Sequence, residues 1–252
     1  MECTLKELMV TAVAREIRDG EIVFVGMRLP LLAFALAKRT HAPTAVGFFE
    51  NGVIRETPSP ELLFTMGDTP NLYQATFCGD MLSVMGPLQQ GRVALGIIGG
   101  AEVDRYGNIN TTEVVDTKGR KIRLPGSGGA CDIASLAGRL VIIMAHERRR
   151  FPPRVSYLTS PGYGDGRHWR KSVGLPGGGP VAVITDRAIL RFDSVTEEAV
   201  LTSVHPGVSV EQVQEQTGWR LRLAENFHTT PLPTRDELKI LREIDPTGFW
   251  LR

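Results

Sequence analysis

At 252 residues, 42% hydrophobic and 23% charged, the chain is ordinary globular material, long enough for one large α/β domain or two small ones. A formal net charge of +1 leaves no broad basic footprint for nucleic acid, and no apolar run approaches membrane-spanning length. Three scattered cysteines (Cys3, Cys78, Cys131) cannot build a disulfide framework, and the first residues lack the shape of a secretory signal, so a protein of the reducing cytoplasm is expected.

Thr4 followed by Glu7 is a capping box, and Leu5, Leu8, Met9, Ala12, Val13 and Ile17 recur at helical spacing until Gly20. Residues 21–25 read as a strand. Pro30 opens a second helix with Lys38 and Arg39 in its last turn, and Val46-Gly47-Phe48-Phe49 is a second strand. Strand, helix, strand with buried-looking strands predicts a parallel sheet. From Val53 to Gly79 the chain is loop-rich and no long element is predicted. Asp80–Val84 is expected as a short helix stopped before Pro87, followed by buried strands at 93–98 and 140–144. Seven glycines mark 162–179 as irregular. Val181–Ile184 and Ile189–Phe192 predict an antiparallel hairpin, extended by a strand at 199–204. Ser209 and Gln212 cap a helix that Gly218 closes, and Thr234 with Glu237 caps another that stops before Pro246. Without a repeat or linker, residues 1–252 are expected to be a single domain: an open, mostly parallel sheet flanked by helices, with an antiparallel hairpin region towards the C-terminus.

Two stretches can carry chemistry. Glu50-Asn51-Gly52 places a carboxylate at the tip of a buried strand, where ligands of open α/β sheets sit. Asn-Gly is equally a hairpin signal, in which Glu50 merely ends the strand. Pro125-Gly126-Ser127-Gly128-Gly129-Ala130 lets the backbone approach a ligand closely, and successive amides there can face anionic or developing oxyanion charge. It is not a dinucleotide fingerprint, and read alone it is also compatible with a flexible loop. The five histidines are too dispersed for a metal site, and Ser127 has no obvious histidine partner. Arg148-Arg149-Arg150 is either a solvated face or a phosphate contact, and Cys131 either a reactive thiol or a small buried residue.

Glu50-Asn51-Gly52, Gly99-Gly100-Ala101-Glu102-Val103-Asp104-Arg105-Tyr106-Gly107-Asn108-Ile109-Asn110 and the glycine loop occur in the order and spacing of family I CoA-transferases. Over essentially the whole chain the sequence resembles their B (β) subunits, the glutaconate branch above all. The resemblance implies a fold shared with sugar-phosphate isomerases and an active site shared with an α subunit on a second chain, in a heterodimer or its doubled form. It places the catalytic carboxylate at Glu50, oxyanion-facing amides at Gly128 and Gly129, a helping side-chain amide at Asn110, and CoA-thioester contacts along Gly126, Ser127, Gly128, Gly129 and Ala130. Asn51 departs from the serine of the glutaconate branch, which touches the choice of acyl group rather than the chemistry. Acyl-CoA and a carboxylic acid are the expected substrates, with glutaconate a candidate. No cofactor or metal beyond coenzyme A itself is expected. A hydrolase or lyase acting on a CoA thioester is the alternative on the same scaffold.

Overall fold

The structure, a computed structural model, describes residues 2–116 and 118–251. In chain order the elements are α1 (Leu5–Ala14), β1 (Ile22–Val25), α2 (Leu29–Arg39), β2 (Val46–Phe49), β3 (Val53–Arg55), α3 (Thr69–Leu72), β4 (Phe77–Cys78) and α4 (Leu82–Gln89). There follow β5 (Leu95–Ile98), β6 (Glu102–Val103), β7 (Ile109–Asn110), β8 (Glu113–Val115), β9 (Lys121–Arg123), α5 (Ala130–Leu136), β10 (Arg139–Ile143) and α6 (Trp169–Ser172). The last six are β11 (Pro180–Ile184), β12 (Ala188–Phe192), β13 (Ala199–Val204), α7 (Val210–Glu215), β14 (Arg222–Thr229) and α8 (Arg235–Ile244).

Ten strands form one sheet in the order β14-β13-β12-β11-β10-β5-β1-β2-β3-β4. The five in the middle, β11 to β2, are parallel, and β12 and β13 continue the sheet antiparallel as the sequence predicts. The opposite edge is also antiparallel: β2 turns back into β3, and β3 pairs with β4. Alternation along each strand sends side chains to two cores. Val23, Val25, Phe49, Ile97 and Ile143 pack under α1, α2 and α8, whereas Phe24, Phe48, Ile98 and Ile142 pack under α4 and α5.

Three capping boxes form as the sequence predicts, at Thr4/Glu7, Ser209/Gln212 and Thr234/Glu237. The first helix ends earlier than its periodicity predicts. Beyond Ala14 it tightens into turns with Glu16 N–H on the Val13 carbonyl and Ile17 N–H on that of Ala14, which still bury Ile17. The helix expected to stop before Pro87 instead runs through it to Gln89. A proline inside a helix costs about 3 kcal/mol relative to alanine. Here Val84 and Leu88, four residues apart and both fully buried, anchor the helix on either side of it, so core packing outweighs propensity.

Candidate active site

Parallel strands bring their carboxyl ends to one edge of the sheet, and Glu50 is the first residue beyond β2. The turn reading of its tripeptide holds, and it sets Glu50 at the carboxyl end of the strand. Glu50-Asn51-Gly52 is the turn of the β2–β3 hairpin, closed by Gly52 N–H on the Phe49 carbonyl at 2.9 Å, and Phe49 pairs with Val53. Gly52 has φ +90°, and a Cβ there would lie 2.4 Å from the Asp80 carbonyl oxygen, so only glycine lets the 79–80 backbone seat against the turn. Asn51 Nδ2 donates to the Met66 carbonyl at 2.9 Å, fastening the turn's other side.

This anchoring leaves the half-buried Glu50 side chain crossing to the glycine loop. Gly129 N–H donates to Glu50 Oε1 at 2.9 Å. Gly129 is the N-cap of α5, so its amide is one of those a helix leaves without an internal partner. The helix is held by close approach of backbone to side chain: a Cβ on Gly96 of β5 would strike Ile133 Cγ2 at 2.3 Å. Gly128 adopts φ +47° and Gly126 φ +95°, the left-handed region, and a Cβ at Gly128 would fall 3.1 Å from Glu50 Oε1. Gly129 is enclosed as well; a Cβ there would meet Met85 Cε at 2.5 Å and Glu50 Cδ at 3.1 Å. Ser127 contributes its carbonyl, which accepts Ala130 N–H at 2.9 Å to start the helix.

Asn110 stands elsewhere. It is wholly buried, and its Nδ2 donates to Glu102 Oε2 and to the Glu113 carbonyl, both at 2.7 Å, while its Oδ1 accepts Thr112 N–H at 2.9 Å. Its amide is committed inside the fold rather than turned to Glu50. The rest of the 99–110 motif is likewise knitted inward. Buried Asp104 accepts from Asn108 Nδ2 and from the backbone N–H of Tyr106 and Asn108, and Asn108 Oδ1 accepts Gly162 and Gly164 N–H, each at 3.0 Å. Burial pushes the Asp104 carboxyl above the usual carboxylate range, against those hydrogen bonds.

The lesser candidates resolve as structure. Cys131 is half-buried, and burial together with the nearby Asp132 charge pushes its thiol up, the opposite of an activated nucleophile. Arg148 binds the carbonyls of Glu215 and Thr217, and Arg149 and Arg150 pair with Glu147. His146 is 1% exposed and stacks on Phe151 with ring centroids 4.0 Å apart. Among the described residues, no group of three or more His, Cys, Asp or Glu is arranged to hold a metal ion. No helix is long and apolar enough to cross a membrane, again among the described residues. The contributions of Met85, Met66 and Glu102 are not visible in the sequence. A methionine in a short helix and a carboxylate in a two-residue strand become meaningful only through their partners in the fold.

An open α/β sheet with a strand-end carboxylate held against a helix-initiating glycine loop is thus the defining arrangement. Residues 6–216 match the family described as Coenzyme A transferase, and the chain belongs to that family. It is 42% identical over 244 residues to the B (β) subunit of 3-oxoadipate CoA-transferase of Pseudomonas knackmussii, covering 95% of this chain and 92% of that one. With the corresponding B (β) subunit of glutaconate CoA-transferase of Acidaminococcus fermentans it shares 36% over 253 residues, 96% and 93% of the two chains. The crystal structure of glutaconate coenzyme A-transferase from the same organism superposes with a TM-score of 0.91 at 34% identity, over 100% of this chain and 98% of that one.

Proposed function

We propose that this chain is the β subunit of an enzyme that moves coenzyme A from an acyl-CoA to a carboxylic acid through a thioester on Glu50, working with an α-type subunit. The observation that carries this reading is the Glu50 Oε1–Gly129 N–H contact. A carboxylate is a weak nucleophile in water, but positioning it against a bound thioester raises its effective concentration by many orders of magnitude. Glu50 attacks the thioester carbonyl, the C–S bond breaks, and the CoA thiolate leaves an acyl-glutamyl anhydride. The thiolate then attacks Glu50 Cδ, expelling the first carboxylate and leaving CoA on Glu50. The acceptor carboxylate attacks the same carbon and releases the thiolate, which cleaves the new anhydride at the acceptor's acyl carbon to give the product and free Glu50.

The geometry supports one part for Gly129 in this sequence. In every attack on Glu50 Cδ the negative charge develops on a Glu50 oxygen, and Oε1 already lies on the Gly129 amide, in the position of an oxyanion-hole donor. No cofactor beyond coenzyme A takes part in these steps. The acyl group is read as that of a dicarboxylic acid, since the relatives at 42% and 36% identity are named for 3-oxoadipate and glutaconate. Both intermediates hydrolyse if water enters, so a hydrolase on this scaffold is the nearest alternative reading.

To test the proposal, the chain assembled with its α-type subunit is incubated with acyl-CoA, reduced with borohydride and mapped by mass spectrometry. The expected adduct lies on Glu50. An active enzyme labelled at another carboxylate, or releasing CoA equally fast without any acceptor acid, would overturn it.

A further inference from the structure

We propose that Glu102 is a positioning residue for the glycine loop, acting through Asn110; the catalytic part of this inference rests on the reading of Glu50 and Gly129 given above. Glu102 lies in β6 directly opposite Asn110 in β7. Glu102 is 7% exposed, yet no cationic side chain pairs with its carboxylate among the described residues. Instead Oε2 accepts Asn110 Nδ2 at 2.7 Å and Ser156 N–H at 2.8 Å, and Oε1 accepts the Ser156 hydroxyl at 2.9 Å. Leaving an unpaired carboxylate in a buried place is expensive, and hydrogen-bond donors are what compensate it.

The direction of those bonds matters. A carboxylate can only accept, so Glu102 dictates which end of the Asn110 amide faces it. With Nδ2 held by Glu102 and the Glu113 carbonyl, Oδ1 must face the following turn, where it takes Thr112 N–H. Thr159 fixes the same turn from the other side, accepting Thr111 N–H at 2.9 Å. The carbonyls of the turn then hold the approach to the glycine loop: Thr112 O accepts Leu124 N–H and Thr111 O accepts Gly126 N–H, both at 2.8 Å. Three residues beyond Gly126 lies the Gly129 amide that meets Glu50. Every step from Glu102 to Gly126 is a hydrogen bond or a single short turn. The glycines of the loop have no side chains to anchor it, so its placement depends on what holds its two ends, α5 behind it and the 111–112 turn ahead of it.

The test compares Glu102→Ala with Glu102→Gln in the assembled enzyme, using hydrogen exchange as well as kinetics. Glutamine retains an oxygen that can accept from Asn110 and Ser156 N–H, and its amide can donate to the Ser156 hydroxyl. Glu102→Ala is expected to speed exchange in peptides covering 111–129 on the order of 10-fold while the α1 and α8 peptides stay protected. It is also expected to lower kcat on the order of 10- to 100-fold with the KM for acyl-CoA nearly unchanged, because displacement by roughly 1 Å at the reacting centre carries that penalty. Glu102→Gln should restore both readouts. Unchanged exchange at 111–129 in Glu102→Ala, loosening spread over the whole chain, or a Glu102→Gln protein as loose as the alanine variant would overturn the inference. If the native assembly transfers no CoA, the functional reading fails by itself, and the exchange comparison still decides the role of Glu102.

Discussion

The Gly129 amide donates to Glu50 Oε1 at 2.9 Å. Under the proposed mechanism the same N–H would meet the oxyanion that forms on the Glu50 carbonyl after acylation. A Cβ on Gly129 would crowd Met85 Cε at 2.5 Å and Glu50 Cδ at 3.1 Å. Met85 can swing away at its flexible end, but the Glu50 carboxyl must shift by a few tenths of an ångström off the amide, and the larger valine side chain pushes further. Gly129→Val is therefore expected to lower kcat by about 100- to 1000-fold, the loss of about 2.7–4 kcal/mol associated with one oxyanion-hole donor. Its effect on acyl-CoA binding should be much smaller. Steady-state kinetics with a measured Kd for free CoA separates the two. A native kcat with weakened CoA binding would make the loop a phosphate cradle instead.

At the scale of elements, the buried histidine beyond β10 ties three pieces together. His146 Nδ1 lies 3.2 Å from Thr185 Oγ1 after β11, Nε2 lies 3.0 Å from Thr217 Oγ1 after α7, and the ring covers Phe151. Burial first, and then the Arg187 and His205 charges, lower its pKa from 6.5 to about 3. The sign follows from linkage. Below pH 6.5 the unfolded chain takes up a proton that the folded one refuses, so the stabilisation is complete above about 6.5 and is lost as pH falls towards 3. The loss approaches about 1.4 kcal/mol per pH unit within that window. Urea unfolding of the native chain and of His146→Gln between pH 7 and 4.5 should give curves that converge at acid pH. Parallel curves would show that His146 titrates normally. None of this was legible in the sequence, where the histidines are simply dispersed, because its partners lie 39 and 71 residues away. What could be read was local: three capping boxes, the apolar runs that became β1, β2, β5 and β10, and the β11–β12 hairpin. Strand β14 escaped because its exposed, irregular pattern carries no alternation. For the site, a strand-end carboxylate and a glycine cluster each stood out; the resemblance to family I CoA-transferases implied that they share a site, and the fold brings them into contact across 79 residues. The inward commitment of Asn110 was hidden for the same reason.

At the scale of the molecule, the site is open where its chemistry needs cover. Along the segment that seats against the Glu50 turn, Phe77 (46% exposed), Met81 (52%) and Leu82 (72%) present apolar surface, and Val115 and Ile122 do so from the β8–β9 hairpin that leads into the glycine loop. Large exposed apolar side chains gathered around a functional group mark an interaction surface more often than chance exposure does. An anhydride and a thioester both hydrolyse, so a transferase must exclude water while each exists. Covering this edge with a second chain meets both requirements, and it adds the recognition groups for the acyl chain and nucleotide that Glu50 and one loop cannot supply. The chain purified by itself is therefore expected to transfer no CoA, and to gain transfer when mixed with an α-type subunit. Hydrogen exchange should then slow in peptides spanning 73–85 and 113–124, while β14 at the far edge of the sheet stays as it was. Light scattering, exchange and a transfer assay on the same samples decide the matter. A homo-oligomer with full activity, or an active mixture in which those two segments remain unprotected, would refute the shared site on this face.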